Sequence, residues 1–122
     1  MSPSAVTEWT AGIVALLSDT RAVALTALAD DQSYAGYVVG WEPPVGLLPA
    51  VGSRVGLIGD LVIDMHRYRG GVARALVAAL RAQFAARGVN RLVALSARRH
   101  VTGQAFWRSV GGVEWMDGFW LK

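Results

Sequence analysis

Residues 60–76 constrain this chain most: Asp60-Leu61-Val62-Ile63-Asp64-Met65-His66-Arg67-Tyr68-Arg69-Gly70-Gly71-Val72-Ala73-Arg74-Ala75-Leu76. An apolar strand pattern runs into a turn with a glycine pair, and the turn opens directly into a helix pattern. A helix N-terminus presents N–H groups without intrahelical partners and a partial positive charge. A loop free of bulky Cβ atoms lets an anion approach those N–H groups closely. Arg69 and Arg74 flank the turn and can complete the charge neutralisation. A pyrophosphate here is physically well motivated. The plainer alternative is a glycine pair that only permits a tight turn. The chain has no G-x-x-x-x-G-K-[ST], and no G-x-G-x-x-G followed by an acid about 20 residues on, which argues against nucleotide hydrolysis and dinucleotide redox chemistry.

The flanking periodicity predicts the rest of the fold. A first helix is expected over residues 5–18, where Trp9, Ile13, Leu16 and Leu17 recur at helical spacing. Residues 22–28 read as a buried strand, 30–33 as a turn and 34–41 as the returning strand of a hairpin. The stretch 42–54 is rich in Pro and Gly yet carries Leu47, Leu48 and Val51, so an ordered loop is expected. Residues 54–64 form the next strand. A helix over residues 72–87 puts Val72, Leu76, Ala79, Leu80 and Phe84 on one side and Arg74 and Arg81 on the other. Gly88 stands where a left-handed cap belongs. A strand over 91–96, a short helix over 103–110 and an aromatic-rich strand over 113–121 complete the chain. The expected order is α-β-β-β-α-β-α-β. This is an α/β domain with a mixed, mostly antiparallel central sheet and helices on both faces.

At 122 residues, the chain reads as one domain over residues 1–122. Apolar residues make up 53% and charged residues 17%, which excludes intrinsic disorder. There is no cysteine, so disulfides, thiolate metal sites and thiol nucleophiles are excluded. No metal ligand set is expected. Uninterrupted apolar runs fall far short of the ~18 residues of a membrane span. The first residues lack a basic segment ahead of an apolar one. A cytoplasmic protein is therefore expected, and the Ala- and Arg-rich usage fits a bacterial source.

Charge is divided unevenly. Residues 1–64 hold two basic and seven acidic side chains, a balance of −5; residues 65–122 hold ten basic and two acidic, a balance of +8. Nine arginines and no acid lie between Met65 and Val113. A solvated basic face explains such a run as well as a polyphosphate ligand or a nucleic acid does.

The central segment resembles the GNAT superfamily of acyl-CoA-dependent N-acyltransferases, whose loop reads [Q/R]-x-x-G-x-[G/A] after a Leu-x-Val-like strand end. Tyr68-Arg69-Gly70-Gly71-Val72-Ala73 occupies the six positions, with Gly71 and Ala73 matching, and Leu61-Val62-Ile63 precedes it. Downstream, His100 falls at the family's Asn position, Trp107 at its Tyr position, and Gly111-Gly112 where Gly-Phe is usual. The resemblance spans residues 54–112. It implies acetyl-CoA as cosubstrate. Its pantetheine arm would pair with the backbone of Leu61, Val62 and Ile63, and its pyrophosphate would lie on N–H groups of residues 69–74. His100 and Trp107 would complete the coenzyme site, and Arg98, Arg99 and Arg108 are candidates for the 3′-phosphate.

Acetyl transfer to an amine needs a base for the amine, a donor for the oxyanion and an acid for the thiolate. Asp60, just ahead of Leu61, is the candidate base; a plain salt-bridged strand Asp is its alternative. Glu42 is a second candidate. Backbone N–H near Val62 or Ile63 would meet the oxyanion. Trp107 replaces the family's acidic Tyr, and an indole N–H is no practical proton donor at neutral pH. The expected function is transfer of acetyl from acetyl-CoA to a small-molecule or peptide amine by direct attack. A coenzyme-binding module without turnover is the first alternative, and a small basic nucleic-acid-binding domain the second. Trp115, Phe119 and Trp120 would pair two subunits in a homodimer, or else cap the core.

Overall fold

The apolar runs assemble into a twisted mixed sheet with a long helix across one face. The computed structural model describes residues 7–8, 13–18, 21–29, 31–44, 54–64, 68–69, 71–96, 101–115, 119 and 121. In chain order the elements are β1 (Thr7–Glu8), β2 (Ile13–Ser18), β3 (Ala22–Leu28), β4 (Tyr34–Trp41), β5 (Val55–Ile63), β6 (Tyr68–Arg69), α1 (Val72–Ala86), β7 (Arg91–Ala94) and α2 (Val101–Ser109). Five strands form the main sheet in the order β2-β3-β4-β5-β7, while β1 and β6 pair with each other. The first three pairings of the main sheet are antiparallel and β5–β7 is parallel. This is the mixed, mostly antiparallel α/β sheet expected from the sequence, with the β5-α1-β7 crossover joining the two strands at one edge.

The two ends of the chain differ from expectation. Residues 5–18 were expected to be helical, yet their described parts, Thr7–Glu8 and Ile13–Ser18, are strands. A short apolar run has no decisive period of its own. Here β2 also shifts register against β3 between Ala15 and Leu17, so its face pattern departs from the simple alternation that marks a strand. At the other end, residues 113–115 are irregular and exposed, and the described residues of 113–121 contain no strand.

Helix α1 lays Val72, Leu76, Leu80 and Phe84 onto Val23, Leu25 and Ala27 of β3, Val38 of β4 and Ile58 of β5. The helix closes as its sequence predicts. Gly88 takes φ +84°, its N–H donates to the carbonyl of Ala85 at 3.0 Å, and the Val89 N–H donates to Phe84 at 2.9 Å. That is the two-bond αL ending which satisfies the last carbonyls, and it buries Val89 to 1% exposure. Arg54 locks this corner. Its Nε donates to Glu42 Oε2 at 2.6 Å, its Nη2 to Glu42 Oε1 at 2.8 Å and its Nη1 to the Arg87 carbonyl at 2.8 Å. One guanidinium thus ties the entry of β5, the exit of β4 and the end of α1.

Candidate functional site

Strand β5 carries the site, and an irregularity in it decides which way its side chains face. Opposite β4, Val39 pairs with Asp60 but Gly40 pairs with Ile58, leaving Gly59 as an extra residue. A bulge of this kind shifts the alternation by one position. Ile58, before it, belongs to the core under α1, and Leu61 and Ile63, after it, pack against that same core. Asp60 and Val62 therefore turn to the opposite face, where both are exposed. Without the extra residue, the Asp60 carboxylate would be aimed into an apolar core.

The same stretch leaves the sheet on its other edge. Strand β7 pairs with β5 only from Val55 to Ile58, ending at the Ile58–Ala94 pair. Beyond it, no described strand pairs with residues 59–63 on that side, so among the described residues their backbone edge is open. The open edge leads toward the start of α1. There Gly71 is the N-cap at φ +85°, a conformation that favours glycine, and no side chain caps the helix or places a carboxylate in its first turn. A Cβ built at Gly71 would meet nothing within 4 Å. Among the described residues nothing fills the space beside Gly71, as an anion site requires.

The remaining candidate residues divide clearly. Tyr68 and Arg69 form β6, paired in parallel with Thr7 and Glu8, so the backbone ahead of α1 is held by the start of the chain. Gly70, His100, Arg98, Arg99 and Trp120 lie outside the described residues. The side chain of Val72 is buried in the core, which leaves only its backbone for a ligand, and Ala73 is half-buried. The Arg74 Nη1 donates to the carbonyl of Ser109 at 3.3 Å, joining the first turn of α1 to the last turn of α2. Trp107 is half-buried against the core cluster and edge-on to Phe106, with ring centroids 4.9 Å apart. Arg108 is ion-paired with Glu114 at 2.6 Å. Glu42 is committed to Arg54, whose hydrogen bonds and charge hold its carboxyl below the ordinary 4.5. A carboxylate held in this way is a poor base.

On the face turned away from α1, a row of residues runs across four strands: Val14, Thr26, Tyr37 and Val62 are register partners. A cleft of about 340 Å³ lies on it, lined by Thr26, Tyr34, Tyr37, Val62, Ile63 and Asp64 among others. Thr26 forms its buried floor, its hydroxyl donating to the Gly36 carbonyl at 2.9 Å. The sequence held one signal for this arrangement that a search for motifs passes over: an isolated Gly inside a strand pattern, which marks a bulge. Among the described residues no group of three His, Asp or Glu side chains could hold a metal ion. No helix among them is long and apolar enough to cross a membrane.

This architecture is shared with known acetyltransferases. The model of the acetyltransferase (GNAT) family matches residues 3–111, and the chain belongs to that family. A mutant of the BH1408 protein from Bacillus halodurans is similar at a TM-score of 0.74 and 21% identity, over 86% of this chain and 68% of that one. AAC(6')-Iy in complex with the bisubstrate analog CoA-S-monomethyl-acetylneamine gives a TM-score of 0.74 at 17% identity, over 85% and 70% of the two chains. A ribosomal-protein-alanine N-acetyltransferase from Brucella melitensis gives 0.66 at 26% identity, over 88% and 73%. No protein of curated function matches the sequence.

Proposed function

We propose that this chain acts as a single cytoplasmic domain that transfers an acetyl group from acetyl-CoA to an amine. One observation carries the reading: the open backbone edge at residues 59–63 leads to a helix N-terminus without cap or carboxylate. An extended amide-bearing arm can add to such an edge as a strand would, and the phosphates at its far end meet N–H groups and a positive dipole. Leu61, Val62 and Ile63 would hold the arm, and the backbone of residues 69–74 the pyrophosphate. The N–H groups of that edge are also the donors for the acyl oxygen as it gains charge.

Asp60 supplies the base. The bulge turns it to the exposed face of β5, the strand that would hold the thioester arm, where an incoming ammonium can lose a proton to it. The amine nitrogen then bonds to the acetyl carbon, the C–S bond breaks, and the sulfur leaves as thiolate and takes up the second proton that the nitrogen sheds as it becomes an amide. General-base assistance of this kind contributes about 10²–10⁴-fold. Titration calorimetry with acetyl-CoA and a thiol-release assay with a panel of amines test the reading together. The expected result is binding and release, with Asp60→Asn lowering turnover about a hundredfold or more while binding of acetyl-CoA is retained. Absence of acetyl-CoA binding overturns the assignment.

One observation favours a second reading. Trp107 packs into the core at the position where the resemblance implies an acidic hydroxyl. A domain that binds the coenzyme without turning it over would show the same calorimetric binding and no thiol release with any amine.

A further inference from the structure

We propose that Thr26, buried on β3 two strands away from the coenzyme edge, is a positioning residue for that edge: through the Gly36 carbonyl, its hydroxyl fixes where the backbone of Val62 and Ile63 lies. The inference rests on the acetyl-transfer reading for what the edge holds; the positioning itself rests on geometry.

After Ile58, β5 pairs among the described strands only with β4. The conformation of β4 opposite residues 60–63 therefore decides where the edge stands. That part of β4 is not a regular strand. Against β3, Ala27 pairs with Gly36 but Leu28 pairs with Tyr34, which leaves Ala35 as an extra residue. A bulge interrupts the ladder, and buried backbone groups beside it need other partners. Here a side chain supplies one: the Thr26 Oγ1 donates to the Gly36 carbonyl at 2.9 Å in a buried bond. Thr26 is 2% exposed and is the one buried polar side chain among the described residues.

The same two residues of β4 hold the end of β5. The Ala35 carbonyl accepts the Asp64 N–H at 2.9 Å, and Gly36 is the register partner of Ile63. The fit at Gly36 leaves no slack. A Cβ built there would come within 2.6 Å of the Val62 carbonyl oxygen and 3.3 Å of the Ile63 Cα. Both are backbone atoms, so β5 cannot give way by turning a side chain. A shift of the Gly36 carbonyl toward a new donor therefore passes directly to Val62 and Ile63, in the stretch held from one side.

A threonine kept only for packing needs its methyl, whereas a positioning threonine needs its hydroxyl. Valine keeps the branched shape and removes the donor, so the Gly36 carbonyl loses that bond. Serine keeps the donor and removes the methyl.

Amide exchange followed by NMR and titration calorimetry, both on the intact protein, test the proposal together. In Thr26→Val the Asp64 amide is expected to exchange about fivefold faster, the change that one lost buried hydrogen bond ordinarily represents, while Leu57 and Ile58 exchange as before. Acetyl-CoA is expected to bind about fivefold more weakly to Thr26→Val, and to Thr26→Ser within about twofold of the natural affinity. The nucleotide half of the coenzyme, 3′-phospho-ADP, lacks the arm and is expected to bind all three proteins alike. Unchanged Asp64 exchange in Thr26→Val, equal weakening of acetyl-CoA and 3′-phospho-ADP, or the same loss in Thr26→Ser as in Thr26→Val overturns the proposal. Acetyl-CoA bound equally well by the natural protein and Thr26→Val would sink this inference alone. Faster Asp64 exchange in Thr26→Val, in a protein whose natural form does not bind acetyl-CoA, would sink the acetyl-transfer reading alone.

Discussion

At the scale of single residues, three positions have chemistry that their neighbours enforce. Gly71 holds φ +85° at the helix entrance. A Cβ there meets nothing among the described residues within 4 Å, but the position takes a backbone conformation that costs a side chain roughly 1–2 kcal/mol, and the methyls of a β-branched residue would crowd the space beside the N–H groups. Gly71→Val is therefore expected to lower the melting temperature modestly and to weaken acetyl-CoA binding more than tenfold, which calorimetry on the folded variant measures. Glu42 and Arg54 give a pH prediction. Arg54 lowers the Glu42 carboxyl from 4.5, so the unfolded chain takes up that proton first as pH falls. The stabilisation is present above 4.5 and disappears as pH drops through the lower folded value. Arg54→Met is expected to melt earlier than the natural protein at pH 7, by a margin that shrinks as melts are run at successively lower pH from 4.5 downward. Asp60 is the third position: its residue type made it a candidate, but its orientation belongs to the bulge beside it.

At the scale of elements, the contact between α1 and the sheet is the main structural commitment. Phe84 is 1% exposed and sits over β4 at Gly40, where a built Cβ would come within 2.9 Å of its ring and 3.0 Å of Leu80. Gly40→Ala overfills that contact and is expected to cost about 1–3 kcal/mol, read from denaturant midpoints. Phe84→Ala leaves a cavity instead and is expected to cost about 3–5 kcal/mol, a large share of the ~5–15 kcal/mol of a typical domain. The hairpin of β3 and β4, strand β5, helix α1 and the parallel return to β7 were all legible in the sequence. Each combines a strong local period with a turn or cap signal, such as Gly88 after a run of helix formers. Residues 13–18 were not legible. Five apolar residues and a serine fit a helix face as well as a strand, and the bulge against β3 removes the alternation that would have decided between them.

At the scale of the whole molecule, the site is a product of how strands part company. Strand β5 is paired on both sides at Leu57 and Ile58 and, among the described strands, only with β4 after them, and that change leaves the edge on which the coenzyme reading depends. A ligand that binds only the folded state stabilises it by mass action, about 2.7 kcal/mol at roughly a hundredfold excess over Kd. Saturating acetyl-CoA is therefore expected to raise the melting temperature by several degrees. Asp60→Asn should preserve this shift, while Gly71→Val should lose most of it, and differential scanning fluorimetry checks both. By itself, the sequence determined the sheet-and-helix class, the glycine-bearing entrance to α1 and the family resemblance, because these rest on local periods, glycine positions and residue order within a short stretch. Only the tertiary structure decided that residues 13–18 join the sheet, that Glu42 is tied to Arg54, and that Asp60 and Val62 share an exposed face. Those outcomes depend on register and pairing between strands distant in sequence, and a one-residue shift there reverses the face of every side chain that follows.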